Sequence, residues 1–547
     1  MPQGLPHIVH ILADDFGWSE VGYHRANTTA IQHDVSTPNL DELASNGLIL
    51  DRFYVHKICS PSRCALQSGR DPIHVNVVNV APEVRNVKDP VGGYQGIPTN
   101  MTCIAEHLRS AGYKTHAVGK WDVGMATRTF HHPRARGYDS WLGYWHHAND
   151  YWSQGEGSCP APNQNVKDLW TYNETFDGPA LSLANGATCS QAKQTPAAGE
   201  ACVFEDTLFV RHVVNVLRDH AALSSEVPLF LFWSMHLVHM PLEVPQAWLD
   251  KFAFIDDEHR RLGHAMGALL DANVGTVVSE LKALKLWDNA VVVFHSDNGG
   301  EILGAGLCGG NNWPLRGGKF ANWEGGIRVN AWVSGGRLPA ARRGAIETGF
   351  IAISDWYSTY CALAGVDPTD AVAAAAGLPR VDGVNAWPLI SGSNSTSARN
   401  EVVIGDTTAV GPNGDGKARV GGLISGRFKL LVGAPDKLYI VGQDAMTGPS
   451  WPNSTSHLVP MAHSRTCGRA AKRGCLFDIF SDPSESTNLA LVHPDVFTAM
   501  LARIDTLQEG VYSPDRGTTD KAACEQVVAN GGYWGPWLDR EQEKEQN

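Results

Sequence analysis

The chain has 547 residues, 43% of them hydrophobic and 18% charged, with a formal net charge of −13. That length exceeds what one core fills, so one large domain plus a smaller one is expected. The acidic balance excludes the basic face a nucleic-acid partner requires. No run approaches the roughly twenty apolar residues that span a bilayer; the longest candidate, Leu229 to Val238, is broken by Ser234 and His236. Protonating all 22 histidines would turn the net charge positive, so we expect an enzyme suited to an acidic compartment.

Short apolar runs alternate with amphipathic stretches through the first two-thirds of the chain. This is the pattern of an α/β domain with a largely parallel sheet. His7 to Ala13 reads as a buried strand ending in Asp14-Asp15. Cys59-Ser60-Pro61-Ser62-Arg63-Cys64-Ala65-Leu66-Gln67-Ser68-Gly69-Arg70 follows, with Pro61 placed for a first helical turn. Asn100 to Ser110 reads as a helix capped by Asn100, followed by a strand through Thr115 to Val118 and then Gly119-Lys120-Trp121. Pro228 to Ser234 is a strand running into His236 and His239, Ser279 to Leu284 closes a helix, and Ala290 to Phe294 ends in Ser296-Asp297-Asn298. From Glu401 the helical pattern thins. Glu401 to Ile404, Gly421 to Ser425 and Lys429 to Val432 read as strands of a smaller antiparallel sheet carrying a helix near His493 to Gln508. We divide the chain at 1–398 and 399–547 and expect the tail after Trp537 to fray.

Four predicted strands thus end in Asp14-Asp15, Lys120, His236/His239 and Asp297-Asn298. Ligands of open α/β sheets bind outside the carboxyl ends of the strands, so these segments converge on one crevice. Three carboxylates and an amide form a hard oxygen set suited to calcium or magnesium. A zinc pair at His236 and His239 is the alternative. Arg63, Lys120 and Lys319 supply positive charge, and the start of the helix at Pro61 favours an anion.

The run from Cys59 to Arg70 resembles the signature of the type I sulfatases, in which the cysteine is oxidised to formylglycine. The likeness extends from Asp14 to about Ala490. It takes in Gly119-Lys120-Trp121, Val238-His239-Met240-Pro241-Leu242, Asn312 to Lys319 with Trp323 to Val329, and Cys475 to Ala490; it is most like arylsulfatase B (N-acetylgalactosamine-4-sulfatase-type) enzymes. The resemblance implies an alkaline-phosphatase-like fold, a large mixed sheet flanked by helices with a smaller C-terminal antiparallel sheet. It implies a sulfuric ester hydrolase acting on an aryl sulfate or a sulfated polysaccharide, and a formylglycine-generating enzyme as partner. One calcium or magnesium ion would be held by Asp14, Asp15, Asp297, Asn298 and residue 59. Lys120, Lys319 and Arg63 would contact the anion, and His239 would protonate the leaving group. One position departs from the pattern: Asp122 stands where the family has histidine after Gly-Lys-Trp. Asp122 could act as base, with His146 or His147 compensating. Two other readings stay open: a phospho- or phosphonate ester hydrolase of the same superfamily, and an impaired module that binds sulfated glycans.

With Cys59 modified, ten of the eleven cysteines remain for disulfides, with stapled loops at Cys159/Cys189/Cys202 and Cys467/Cys475. Buried free thiols are the alternative for Cys103 and Cys361. Sequons at Asn27, Asn100, Asn173, Asn394 and Asn453 join the cysteines in pointing to a lysosomal or secreted glycoprotein. Met1 leads almost directly into the first strand, so a signal peptide is expected to have been trimmed or missed.

Overall fold

The computed structural model describes residues 4–25, 34–75, 82–157, 159, 165–183, 189–191, 202–223, 226–303, 308–407, 418–432, 446–452 and 474–538. A ten-stranded mixed sheet forms its centre. We label its four inner strands β1 (His7–Ala13), β2 (Lys114–Lys120), β3 (Leu229–Ser234) and β4 (Ala290–Ser296), lying side by side in the order β4-β1-β3-β2 and all parallel. Ser140–Tyr144 extends the parallel set beyond β2. The antiparallel strand Ala331–Ser334 flanks β4 on the other side.

β1 is buried along its whole length because helices cover both faces of the sheet. Ile8 and Leu12 point into one core with Trp356, Tyr357 and Tyr360. Val9, Ile11 and Ala13 point into the other, with Met266, Leu270, Val274 and Val277 of the long helix Glu258–Ala283. The odd and even residues of one strand thus fill two separate apolar layers. His10, buried at mid-strand, keeps its Nδ1 2.6 Å from the Tyr360 hydroxyl.

Register positions the site. Ala13 pairs with Ser296 and Leu12 with Ser234, while Gly119 of β2 also lies opposite Ser234. The residues that follow these strands therefore emerge together at one edge. The approach at Gly119 (φ +92°) leaves no room for a side chain, since a Cβ there would sit 1.7 Å from the Ser234 carbonyl oxygen.

The smaller antiparallel sheet comprises Glu401–Thr407, Ala418–Ser425, Phe428–Leu431 and Cys475–Asp478. Helix Pro494–Glu509 covers one face through Met500 and Ile504. Ile404, Ile424 and Phe477 pack the sheet against Tyr54, Trp323 and Ile327 of the large layer. The helix expected from Asn100 begins instead at Ile104, because Cys103 is its N-cap and the Glu106 carboxylate accepts the Cys103 N–H. No helix among the described residues is long and apolar enough to cross a membrane.

Full pairing of the ten other cysteines is not what the structure has. Cys189 joins Cys202, and Cys159 joins Cys524, 365 positions away. Cys64, Cys103, Cys308 and Cys361 are free and buried. Cys103 and Cys361 share an apolar core with Ile104 and Tyr357, where a thiol packs as a small hydrophobe. Cys467 and the sequons at Asn27 and Asn453 lie outside the described residues.

Candidate active site

Helix α1 (Cys59–Ser68) is buried from end to end, with Pro61 in its first turn and Gly69 (φ +67°) closing it. It delivers Cys59 and Arg63 to the edge where β1, β2, β3 and β4 end. The Cys59 thiol donates to Asp14 Oδ1 at 3.8 Å. Lys120 Nζ donates to the other oxygen of Asp14 at 2.8 Å. Arg63 donates to Asp297 Oδ2 from Nε at 2.9 Å and from Nη2 at 2.6 Å, and its Nη1 donates to the Ser234 hydroxyl. Lys319 Nζ donates to Asp15 Oδ2 at 2.7 Å and lies 2.9 Å from His239 Nε2. Asn298 Nδ2 donates to Asp15 Oδ1 at 2.7 Å. These side chains therefore meet at one edge, with Asp122 beside them, its Oδ2 3.9 Å from Lys120.

Asp14, Asp15, Cys59 and His239 each bring a donor atom within 4.8 Å of one another. Asp297 Oδ2 is turned to Arg63. Asn298 Oδ1 is buried and accepts no hydrogen bond among the described residues. A buried acceptor with no donor, beside three carboxylates, fits a hard divalent cation. His236 is not part of this group of four: its Nδ1 lies 2.9 Å from Glu205 Oε2, and its ring stacks on Tyr151 at 3.7 Å.

Burial and neighbouring charges shift the titratable groups of the site in opposite directions. Burial lifts the Asp15 carboxyl, but Lys319 and His239 outweigh it and bring it down to about 2. Asp297 goes the other way, pushed up to about 6 by burial and by the neighbouring Asp14 charge in spite of Arg63. Burial, then Lys319, lowers His239 to about 3. Its Nδ1 faces the Met240 carbonyl at 2.7 Å, so neutral His239 carries its proton there and its Nε2 accepts from Lys319. Asp15 (φ 58°) and Asp122 (φ 51°) both hold left-handed backbone, a strain that collects at functional sites.

His147, not His146, meets Asp122. His147 Nδ1 lies 2.8 Å from Asp122 Oδ1, whereas His146 turns to Asp168 at 2.8 Å. Three further groups went unseen in the sequence. Glu301 lies 3.4 Å from Lys319 and stands three residues after Asn298, so the motif could have been read further. Ser60 donates to Asp122 Oδ1 at 2.8 Å. Glu205, which holds His236 and Asn149, has no local signal at all.

A sequence profile of the family described as Sulfatase matches residues 6–366. The chain belongs to the sulfatase family, enzymes that hydrolyse sulfate esters. Arylsulfatase J of Mus musculus is 28% identical over 557 aligned residues, covering 99% of this chain and 82% of the relative. N-acetylgalactosamine-6-sulfatase of Canis lupus familiaris is 29% identical over 536 residues, covering 97% and 90%. The likeness thus reaches the family and arylsulfatase-type relatives without singling out the arylsulfatase B type. Among solved structures, Ps i-CgsB in complex with k-i-k-neocarrahexaose shares the fold at a TM-score of 0.67 and 21% identity, covering 99% of both chains.

Proposed function

We propose that the chain hydrolyses the sulfate ester of a carbohydrate or aryl alcohol through a formylglycine made from Cys59 by a formylglycine-generating enzyme. The observation that carries this reading is the Cys59 thiol 3.8 Å from Asp14 Oδ1 in a pocket where Arg63, Lys120 and Lys319 each pair with a carboxylate of the same cluster. The Cys59 Sγ marks where the oxygens of the hydrated aldehyde would lie. A calcium or magnesium ion held by Asp14, Asp15, Asp297, Asn298 and residue 59 would supply Lewis-acid charge against a sulfate oxygen.

One hydroxyl of the residue 59 hydrate, its proton first lost to solvent, would attack sulfur as the alkoxide, and the bond from sulfur to the substrate alcohol would break. The leaving oxygen takes its proton from the His239–Lys319 pair, whose nitrogens lie 2.9 Å apart. The second hydroxyl then gives up its proton to the Asp122 side of the site. Its carbon–oxygen double bond re-forms, sulfate leaves the carbon, and water restores the hydrate. Lys120 and Lys319 hold the anion against the cluster throughout.

A sulfated sugar is the favoured substrate class, since one relative is named for a sulfated amino sugar and one structural neighbour is complexed with an oligosaccharide. A phosphoryl ester hydrolase of the two-metal type would need a second donor cluster; one such cluster is found among the described residues. The disulfides Cys159–Cys524 and Cys189–Cys202 and exposed sequons at Asn173 and Asn394 favour a lysosomal or secreted glycoprotein. The test is turnover of a chromogenic aryl sulfate against the matching aryl phosphate. Preferred sulfate hydrolysis that vanishes in Cys59→Ala is expected. Phosphate preference, or unchanged turnover in Cys59→Ala, would overturn the reading.

A further inference from the structure

Asp122 sits where the resembled family has histidine, and a lone carboxylate beside bound sulfate is repulsive. The structure surrounds that carboxylate in a specific way. Strand pairing of β2 with Ser140–Tyr144 continues past the sheet edge: the Trp121 N–H donates to the Tyr144 carbonyl at 2.9 Å and the Asp122 N–H to the Trp145 carbonyl at 3.2 Å. Residues 120–122 and 144–147 therefore run side by side. Asp168 clamps the second of these runs, accepting the Trp145 and His146 N–H groups at 2.9 Å each.

The clamped loop presents His147 Nδ1 2.8 Å from Asp122 Oδ1, which also accepts the Ser60 hydroxyl at 2.8 Å. Both contacts fall on one carboxylate oxygen. The other, Oδ2, is buried, makes no hydrogen bond among the described residues, and lies on the Lys120 side, 3.9 Å from Nζ. Lys120 in turn touches Asp14, and Asp14 touches Cys59. The Asp122 side chain is 4% exposed and the His147 side chain 22%. The free oxygen of Asp122 thus lies on the Lys120 side, two contacts removed from Cys59, while a histidine stands behind it, nearer solvent.

We propose that Asp122 and His147 together replace the family histidine, with Asp122 accepting the proton and His147 positioning the carboxylate. The proposal rests on the sulfate ester reading. His147 does not touch the nucleophile, so it acts through Asp122. A surface contact of no consequence would not require a clamped loop, a left-handed Asp122 (φ 51°) and a serine sharing the same oxygen.

Steady-state kinetics on an aryl sulfate test it in wild type, His147→Ala, Asp122→His and the double variant, with melting curves to confirm folding. His147→Ala should lower kcat about tenfold to a hundredfold, with KM changed less than about threefold. Asp122→His restores the family residue and should stay active. Removing His147 in that background should then change kcat by less than about threefold. His147→Gln keeps an N–H for Asp122 and should fall between wild type and His147→Ala; it carries the same cycle if the alanine variant does not fold. Equal losses in both backgrounds, no loss in either, or an inactive Asp122→His would overturn the inference. Wild-type protein with the aldehyde in place and no turnover would sink the hydrolase reading, and this inference with it.

Discussion

Arg63 and Asp297 lock together through a single carboxylate oxygen, which accepts from Arg63 Nε at 2.9 Å and from Nη2 at 2.6 Å. Arg63 Nη2 also lies 3.3 Å from Asp14. One guanidinium therefore keeps two buried carboxylates of adjacent strands from repelling one another. Arg63→Ala should cost about 3–5 kcal/mol, the usual penalty for stripping one partner from a buried ion pair. Arg63→Lys should recover only part of it, since an ammonium cannot donate from two nitrogens at once. Denaturant midpoints measure both. An unchanged midpoint in Arg63→Ala would show the pair to be energetically idle.

The oxygen cluster predicts stabilisation by a hard cation. Calcium or magnesium at a hundredfold excess over its dissociation constant should add about 2.7 kcal/mol, seen as a rise in Tm that chelator reverses. Asp15→Asn removes a charge from the cluster and should weaken that response. A Tm indifferent to both ions would argue against a cation at this edge.

Stability should depend on pH through His146. Burial lowers its pKa, but the charge and hydrogen bond of Asp168, joined by Glu83, outweigh that and raise it to about 10 from an ordinary 6.5. A raised folded-state value means that the stabilisation is fully present below pH 6.5 and is lost as pH climbs toward 10. The Tm gap between wild type and His146→Gln should therefore be widest in acid and close by about pH 10. A gap that widens with rising pH would contradict the assignment.

The smaller sheet reaches the segment that follows Lys319 through a buried charge network. Lys429 Nζ lies 2.8 Å from Glu485 and 3.1 Å from Glu324, and the Glu324 N–H donates to Glu485 at 2.6 Å. Burial and the Glu324 charge push Glu485 up to about 7 even so. Lys429→Met removes the cation these two buried acids share and should cost about 3–5 kcal/mol. It should also lower kcat, because Glu324 lies five residues beyond Lys319. Urea unfolding and aryl sulfate turnover on one preparation would show both effects or refute the coupling.

What the sequence made legible, and what it hid, divide along physical lines. Asp14, Lys120, His239 and Asp297 follow apolar runs, and a parallel sheet must bring such ends to one edge, so the crevice could be anticipated. The resemblance around Cys59 and Lys319 supplied the chemistry. Pairings across the fold carry no local trace: Cys159 with Cys524, Glu205 with His236, Asp122 with His147 rather than a choice between His146 and His147. The short outer strands Leu48–Leu50, Trp170–Tyr172 and Ala345–Glu347, at or next to the sheet's edges, have three residues each, too short for alternation to register. The full pairing expected of the cysteines failed because apolar packing suits a thiol as well as a disulfide does, and composition cannot tell them apart.

The most direct measurement is the mass of the proteolytic peptide that contains residue 59, taken on protein assayed for aryl sulfate turnover. A loss of about 18 mass units relative to cysteine, rising in step with specific activity across preparations, is the expected result. An intact thiol in fully active protein would contradict it.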